Sequence, residues 1–153
     1  MKINHFTYLL ILACLYGCSP QSNNNSVYVK PVCISSQSEC IKNTPWGEVS
    51  IRFNVDEIVS ETSFKVVLEV ENAKQNLHIT GYLEGKDMYM GKIPLFFESR
   101  QQMYSSNVLI GSCAEPKMIW RMWLTITEEK QDKIHQAKAV ETQFFIDFTS
   151  SRN

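Results

Sequence analysis

Two short segments carry side chains soft enough to hold a thiophilic metal. They are Asp87-Met88-Tyr89-Met90-Gly91 and Gly111-Ser112-Cys113-Ala114-Glu115-Pro116-Lys117-Met118. Thioether and thiolate sulfur are the ligands Cu(I) prefers, and they serve oxygen-seeking cations poorly. Met88 and Met90 stand two apart, so an extended backbone points both to the same side. Cys113 with two or three of Met88, Met90 and Met118 would make a three- or four-coordinate Cu(I) site, and His78 is a further candidate ligand. The same residues also have a plainer reading. Methionine fills irregular gaps in cores and packs against aromatic rings such as Tyr89, Trp120 and Trp123. Cys113 is then a small buried apolar group, or half of a disulfide with Cys33 or Cys40.

Other chemistries find little support. Beyond the first residues the chain has two histidines, His78 and His135, with no Gly-x-Ser-x-Gly elbow and no His-Glu-x-x-His pair. A Cys113–His78 nucleophile pair lacks a third orienting group, so an enzyme is not expected. The spacings do not supply the four close ligands of a structural zinc site. No glycine-rich phosphate loop appears.

Which thiols are available depends on the N-terminus. Met1-Lys2-Ile3-Asn4-His5 leads into an uncharged, mostly apolar run from Phe6 to Tyr16. That is a secretory n-region and h-region, too short to span a bilayer permanently. The run ends in Leu15-Tyr16-Gly17-Cys18, which resembles the lipobox of bacterial lipoprotein signal peptides. The resemblance implies cleavage before Cys18, diacylglycerol on its sulfur and a further amide-linked chain, which together anchor stably. Ser19 stands where inner-membrane lipoproteins often keep Asp, which by the same resemblance favours the outer membrane.

Residues 18–26 continue as Cys18-Ser19-Pro20-Gln21-Ser22-Asn23-Asn24-Asn25-Ser26, with no large apolar group to offset the entropy of ordering. They read as a tether, with one domain over 27–153. Without residues 1–17, whose one charged side chain is Lys2, 136 residues remain and acidic groups outnumber basic ones by two. That is one core's worth of chain, and no basic cluster points to nucleic acid. Of five cysteines, Cys14 leaves with the signal and Cys18 carries lipid. Three thiols remain, an odd number in a compartment that permits disulfides. A Cys33–Cys40 bridge across the Ser-rich stretch between them would leave Cys113 free.

The elements that must position these residues are short and β-rich. Strands are expected at 27–33, 48–55, 64–70, 77–83, 93–98, 104–111, 119–127 and 142–149. Val66, Leu68 and Val70 share one face, as do Phe144, Ile146 and Phe148, and Trp120, Met122, Leu124 and Ile126. Met122 therefore reads as core. Residues 128–140 have helical composition, or form a long polar hairpin arm. Seven or eight strands at this spacing predict an all-β, immunoglobulin-like antiparallel sandwich.

Residues 64–127 also resemble the YtkA-like and FixH-like extracytoplasmic β-sandwich domains. The counterparts are Leu77 to Glu84, the Asp87-Met88-Tyr89-Met90-Gly91 turn, Met103-Tyr104, and Ile119-Trp120-Arg121-Met122-Trp123. That group is associated with copper handling and respiratory oxidase assembly, so the resemblance implies a copper role and a copper-accepting or envelope partner. The segment around Cys113 is not part of the family's pattern. The rival expectation is a metal-free interaction lipoprotein of an envelope complex, with Trp46, Tyr89 and Trp123 as contact residues.

Overall fold

In the computed structural model, residues 29–71, 77–128 and 140–152 are described. The signal, Cys18 and the tether, His135 and nearly all of the 128–140 segment lie outside them. Ten strands form: β1 (Ile41–Thr44), β2 (Gly47–Phe53), β3 (Ile58–Val59), β4 (Phe64–Val70), β5 (Leu77–Gly85), β6 (Lys92–Phe96), β7 (Glu98–Arg100), β8 (Met103–Val108), β9 (Lys117–Glu128) and β10 (Val140–Ser151). They make two five-stranded sheets, ordered β1-β2-β4-β8-β7 and β3-β10-β9-β5-β6. The all-β sandwich expected from the sequence is the fold.

Alternation explains why the sheets close on each other. On β9, Met118, Trp120, Met122, Leu124 and Ile126 are buried, while the residues between them face outward. From the opposite sheet Val49, Ile51, Phe53, Val66, Leu68 and Val70 meet them. Three rings lock the layers, with Phe53 5.9 Å from Phe64 and 5.3 Å from Phe148, centroid to centroid. Tilted pairs at such distances add to the gain from burial.

Several expectations need correction. Residues 29–33 form no strand; they contribute one isolated bridge, Val32 to Phe53. The expected 93–98 strand breaks at Phe97, where the chain passes from one sheet to the other as β6 and β7. Strands β1, β3 and β7 have at most four residues and little apolar periodicity, so no pattern marks them in the sequence. The layers are not wholly antiparallel, because β3 joins the end of β10 in parallel. Trp46 is no surface anchor. It is 5% exposed, and its indole N–H donates to Glu128 at 3.2 Å.

Cys33 and Cys40 are bridged, with their Cα atoms 5.8 Å apart. The loop they close docks on β10. Ser38 N–H donates to the Asp147 carbonyl at 2.8 Å, and the Asp147 N–H donates to Ser38 Oγ at 2.8 Å. The Ser36 hydroxyl donates to the Thr149 carbonyl and accepts from the Thr149 N–H. Buried Gln37 holds the loop from inside, its amide donating to the carbonyls of Glu39 and Ile51.

Candidate functional site

One end of the β5–β9 pair carries the two sulfur-bearing segments. The last registered pair is Gly85 with Trp120, and the Lys86 N–H extends the ladder by donating to the Ile119 carbonyl at 2.9 Å. The chain then turns through Asp87 and Met88, and Gly91 (φ 74°) supplies the left-handed conformation that a side chain would resist. Gly85 has a second role: a Cβ there would collide with the Met88 carbonyl oxygen and the Met118 methyl group. Its missing side chain lets these two residues close over the strand end.

The facing turn is pinned from two sides. The Arg152 guanidinium donates to the carbonyls of Cys113 (3.3 Å) and Ala114 (3.1 Å), and Arg152 N–H to Pro116 (3.0 Å). Ser112 Oγ donates to Glu61 at 2.6 Å, while Glu61 N–H reaches the Ile110 carbonyl. The Cys113 side chain is half-buried against the core, its thiol 3.8 Å from the Glu115 carbonyl. Among the described residues it is the free cysteine.

Between the segments lies a cleft of about 490 Å³ lined by Met88, Cys113, Met118, Asp87, Glu115 and Lys117, with Ile119 and Thr149 as its floor. Three of the five expected ligands therefore border one space. Met88 is 38% exposed and Met118 8%, so the first residue is open to solvent and the second sits in the wall. Met90 does not border the cleft; it packs against the core. His78 lies at the opposite end of β5, seven residues from Gly85, roughly 23 Å at a strand's rise.

A thiol and two thioethers form a donor set suited to a soft monovalent ion and to few others. Among the described residues no three His, Cys, Asp or Glu side chains gather as a harder ion would need. The acidic Asp87 and Glu115 at the rim, against Lys117, favour approach by a cation.

No family model and no curated protein matches the chain. Among solved structures it is similar to FetP of uropathogenic E. coli strain F11, crystallised as isolated after expression in the periplasm of E. coli, at 8% identity and a TM-score of 0.37. The match covers 81% of this chain and 95% of that one. So distant a likeness assigns neither a family nor a function, and the chemistry rests on the residues themselves.

Beside the cleft, on the outer face of the same sheet, runs an ionic group that the sequence did not reveal. Arg121 binds Asp147 through two bonds of 2.8 and 3.0 Å, and Lys86 joins at 3.0 Å. The Arg121 hydrogen bonds, with help from Lys86, hold the Asp147 carboxyl below the usual carboxylate range despite the opposing effect of desolvation. Arg121 is raised in turn, chiefly by its bond to Asp147. Arg121 and Asp147 are 26 positions apart and become neighbours only through the β9–β10 register. Lys86 leads directly into Asp87 and Met88, so this group fixes the approach to the methionine turn.

Proposed function

We propose that this chain is a non-enzymatic envelope lipoprotein, tethered through lipid on Cys18, that takes up and passes on Cu(I) at the Cys113–Met88–Met118 cleft. The supporting observation is the cleft itself, where the free thiol and two of the expected thioethers border one space. Cys113 acts as the anchoring thiolate, Met118 as a fixed thioether in the wall, and Met88 as the labile ligand at the mouth. Transfer then proceeds by ligand exchange, with an acceptor's sulfur displacing Met88 first. The resemblance of residues 64–127 to the YtkA-like and FixH-like domains agrees with a copper role, and Ser19 favours the outer membrane. The acceptor is a copper-receiving protein or an envelope complex.

Competition between the full-length chain and a Cu(I) chelator tests the site. Cys113→Ala should weaken binding at least tenfold, with Met88→Leu and Met118→Leu weakening it less. His78→Ala and Met90→Leu should leave it unchanged. Affinity no better than micromolar, or indifference to Cys113→Ala, overturns the reading. The anchor has its own test: labelled fatty acid should enter the wild-type chain and not Cys18→Ala.

A second reading, a metal-free interaction lipoprotein, draws on Tyr89. This ring is 92% exposed in the methionine turn, and exposed aromatics make good contact anchors. Envelope crosslinking from position 89 would trap a partner under this reading whether or not copper binds.

A further inference from the structure

Sheet edges offer unpaired N–H and C=O groups, and proteins blunt them with short strands, lysines and prolines. Here β1 has four residues and carries Lys42, β7 has three, and β6 has Pro94 at its centre beside Lys92. Strand β3 has two residues and covers only Ser150 and Ser151 of β10. Next to it, the disulfide-closed loop covers Asp147 and Thr149. The rest of the β10 edge is not short, and among the described residues nothing covers it.

Its chemistry follows from strand parity. The N–H and C=O of Asp147 both bond to Ser38, away from β9, and the carbonyls of Thr149 and Ser151 also face outward. In an antiparallel ladder the direction repeats every second residue. The backbone groups of Glu141, Gln143 and Phe145 therefore face the open side, and among the described residues no partner meets them. All three residues are exposed, Phe145 by 40% despite its size.

We infer that residues 140–146 of β10 form a pairing edge for the same edge of a second copy of this chain, antiparallel about a two-fold axis at Gln143. The window is self-complementary. Glu141 lies opposite Phe145 of the other copy, Gln143 opposite its own equivalent, and no charge meets a like charge. Each of these three pairs exchanges two N–H···O bonds. The Gln143 amide already donates to Thr125 Oγ at 3.2 Å, which leaves its oxygen as an acceptor for the facing amide. The length also fits. The docked loop begins at Asp147, just outside the paired window of 140–146. An isologous contact of this kind closes at two copies.

Cysteine crosslinking of the full-length chain in a Cys113→Ala background reads the register directly. A hydrogen-bonded antiparallel pair has Cα atoms about 5.5 Å apart, within disulfide reach. Gln143→Cys should form dimers under diamide at least tenfold faster than Phe145→Cys, while Glu141→Cys mixed with Phe145→Cys should form heterodimers. Equal rates for Gln143→Cys and Phe145→Cys overturn the inference. Sedimentation of the otherwise native chain should show a dimer that dissociates on dilution, because the contact is small. Gln143→Pro removes the central donor, and Gln143→Lys brings two like charges together. Each should abolish the dimer, and Gln143→Lys keeps every backbone β10–β9 bond, losing only the side-chain bond to Thr125. A dimer that persists in Gln143→Lys with a native circular dichroism spectrum overturns it as well.

Discussion

At the scale of single residues, the methionines separate into those that fill space and those that face it. Met122 is fully buried between the sheets, as the alternation of β9 foretold. Met122→Ala should cost about 3 kcal/mol of stability, whereas Met122→Leu should cost less than about 1.5 kcal/mol, measured by urea unfolding. Copper affinity should follow neither change. Asp147 makes the opposite kind of prediction. Its carboxyl is held below its unfolded value of about 3.9, so the charged pair contributes stability above that pH and loses it as pH falls through the lower folded value. Asp147→Asn should therefore lower stability at pH 7, and the gap between variant and wild type should shrink steadily below about pH 4. A gap that stays constant with pH would show that the pairing contributes nothing. Asp147 was invisible in the sequence, where nothing marks it as the partner of Arg121.

Among the elements, those with a repeating apolar pattern were legible, and those defined by their neighbours were not. Strands β4, β5, β9 and β10 announce themselves through alternation, because one face of each has to be buried. Strand β1, with the sequence Ile-Lys-Asn-Thr, exists only because Gly47 turns the chain back onto β2. The approach of the two sulfur-bearing turns was legible as types and spacings but not as a place. That required the β5–β9 register and the space left by Gly85. Gly85→Ala tests this directly: it should displace the Met88 and Met118 segments and weaken Cu(I) binding, with both sulfurs retained. Its effect should be seen in nuclear magnetic resonance shifts at the methionine methyls. The disulfide loop belongs to the same scale. Opening a bridge between cysteines seven positions apart should cost about 2.5 kcal/mol. Amide exchange at Ser38 and Asp147 should accelerate in a Cys33→Ser, Cys40→Ser variant, because Ser38 would no longer be held against Asp147.

For the whole molecule, the sandwich arranges three different surfaces without overlap. The sulfur-lined cleft lies at one end, the open half of β10 along one side, and the residues that lead to Cys18 enter beside β2 through Val32. The docked loop also sets the order in which the chain can become a protein. Ser36 and Ser38 bond to residues 113 and 109 positions further on. Contacts of such separation close slowly, since the loop-closure entropy is lost before they form. The loop closed by Cys33 and Cys40 thus stays without its partner until β10 is in place. Until then β9 also lacks the ladder partner that pairs with it along its whole length. The disulfide-closed loop is therefore a late contact, and β10 is the strand whose arrival completes it.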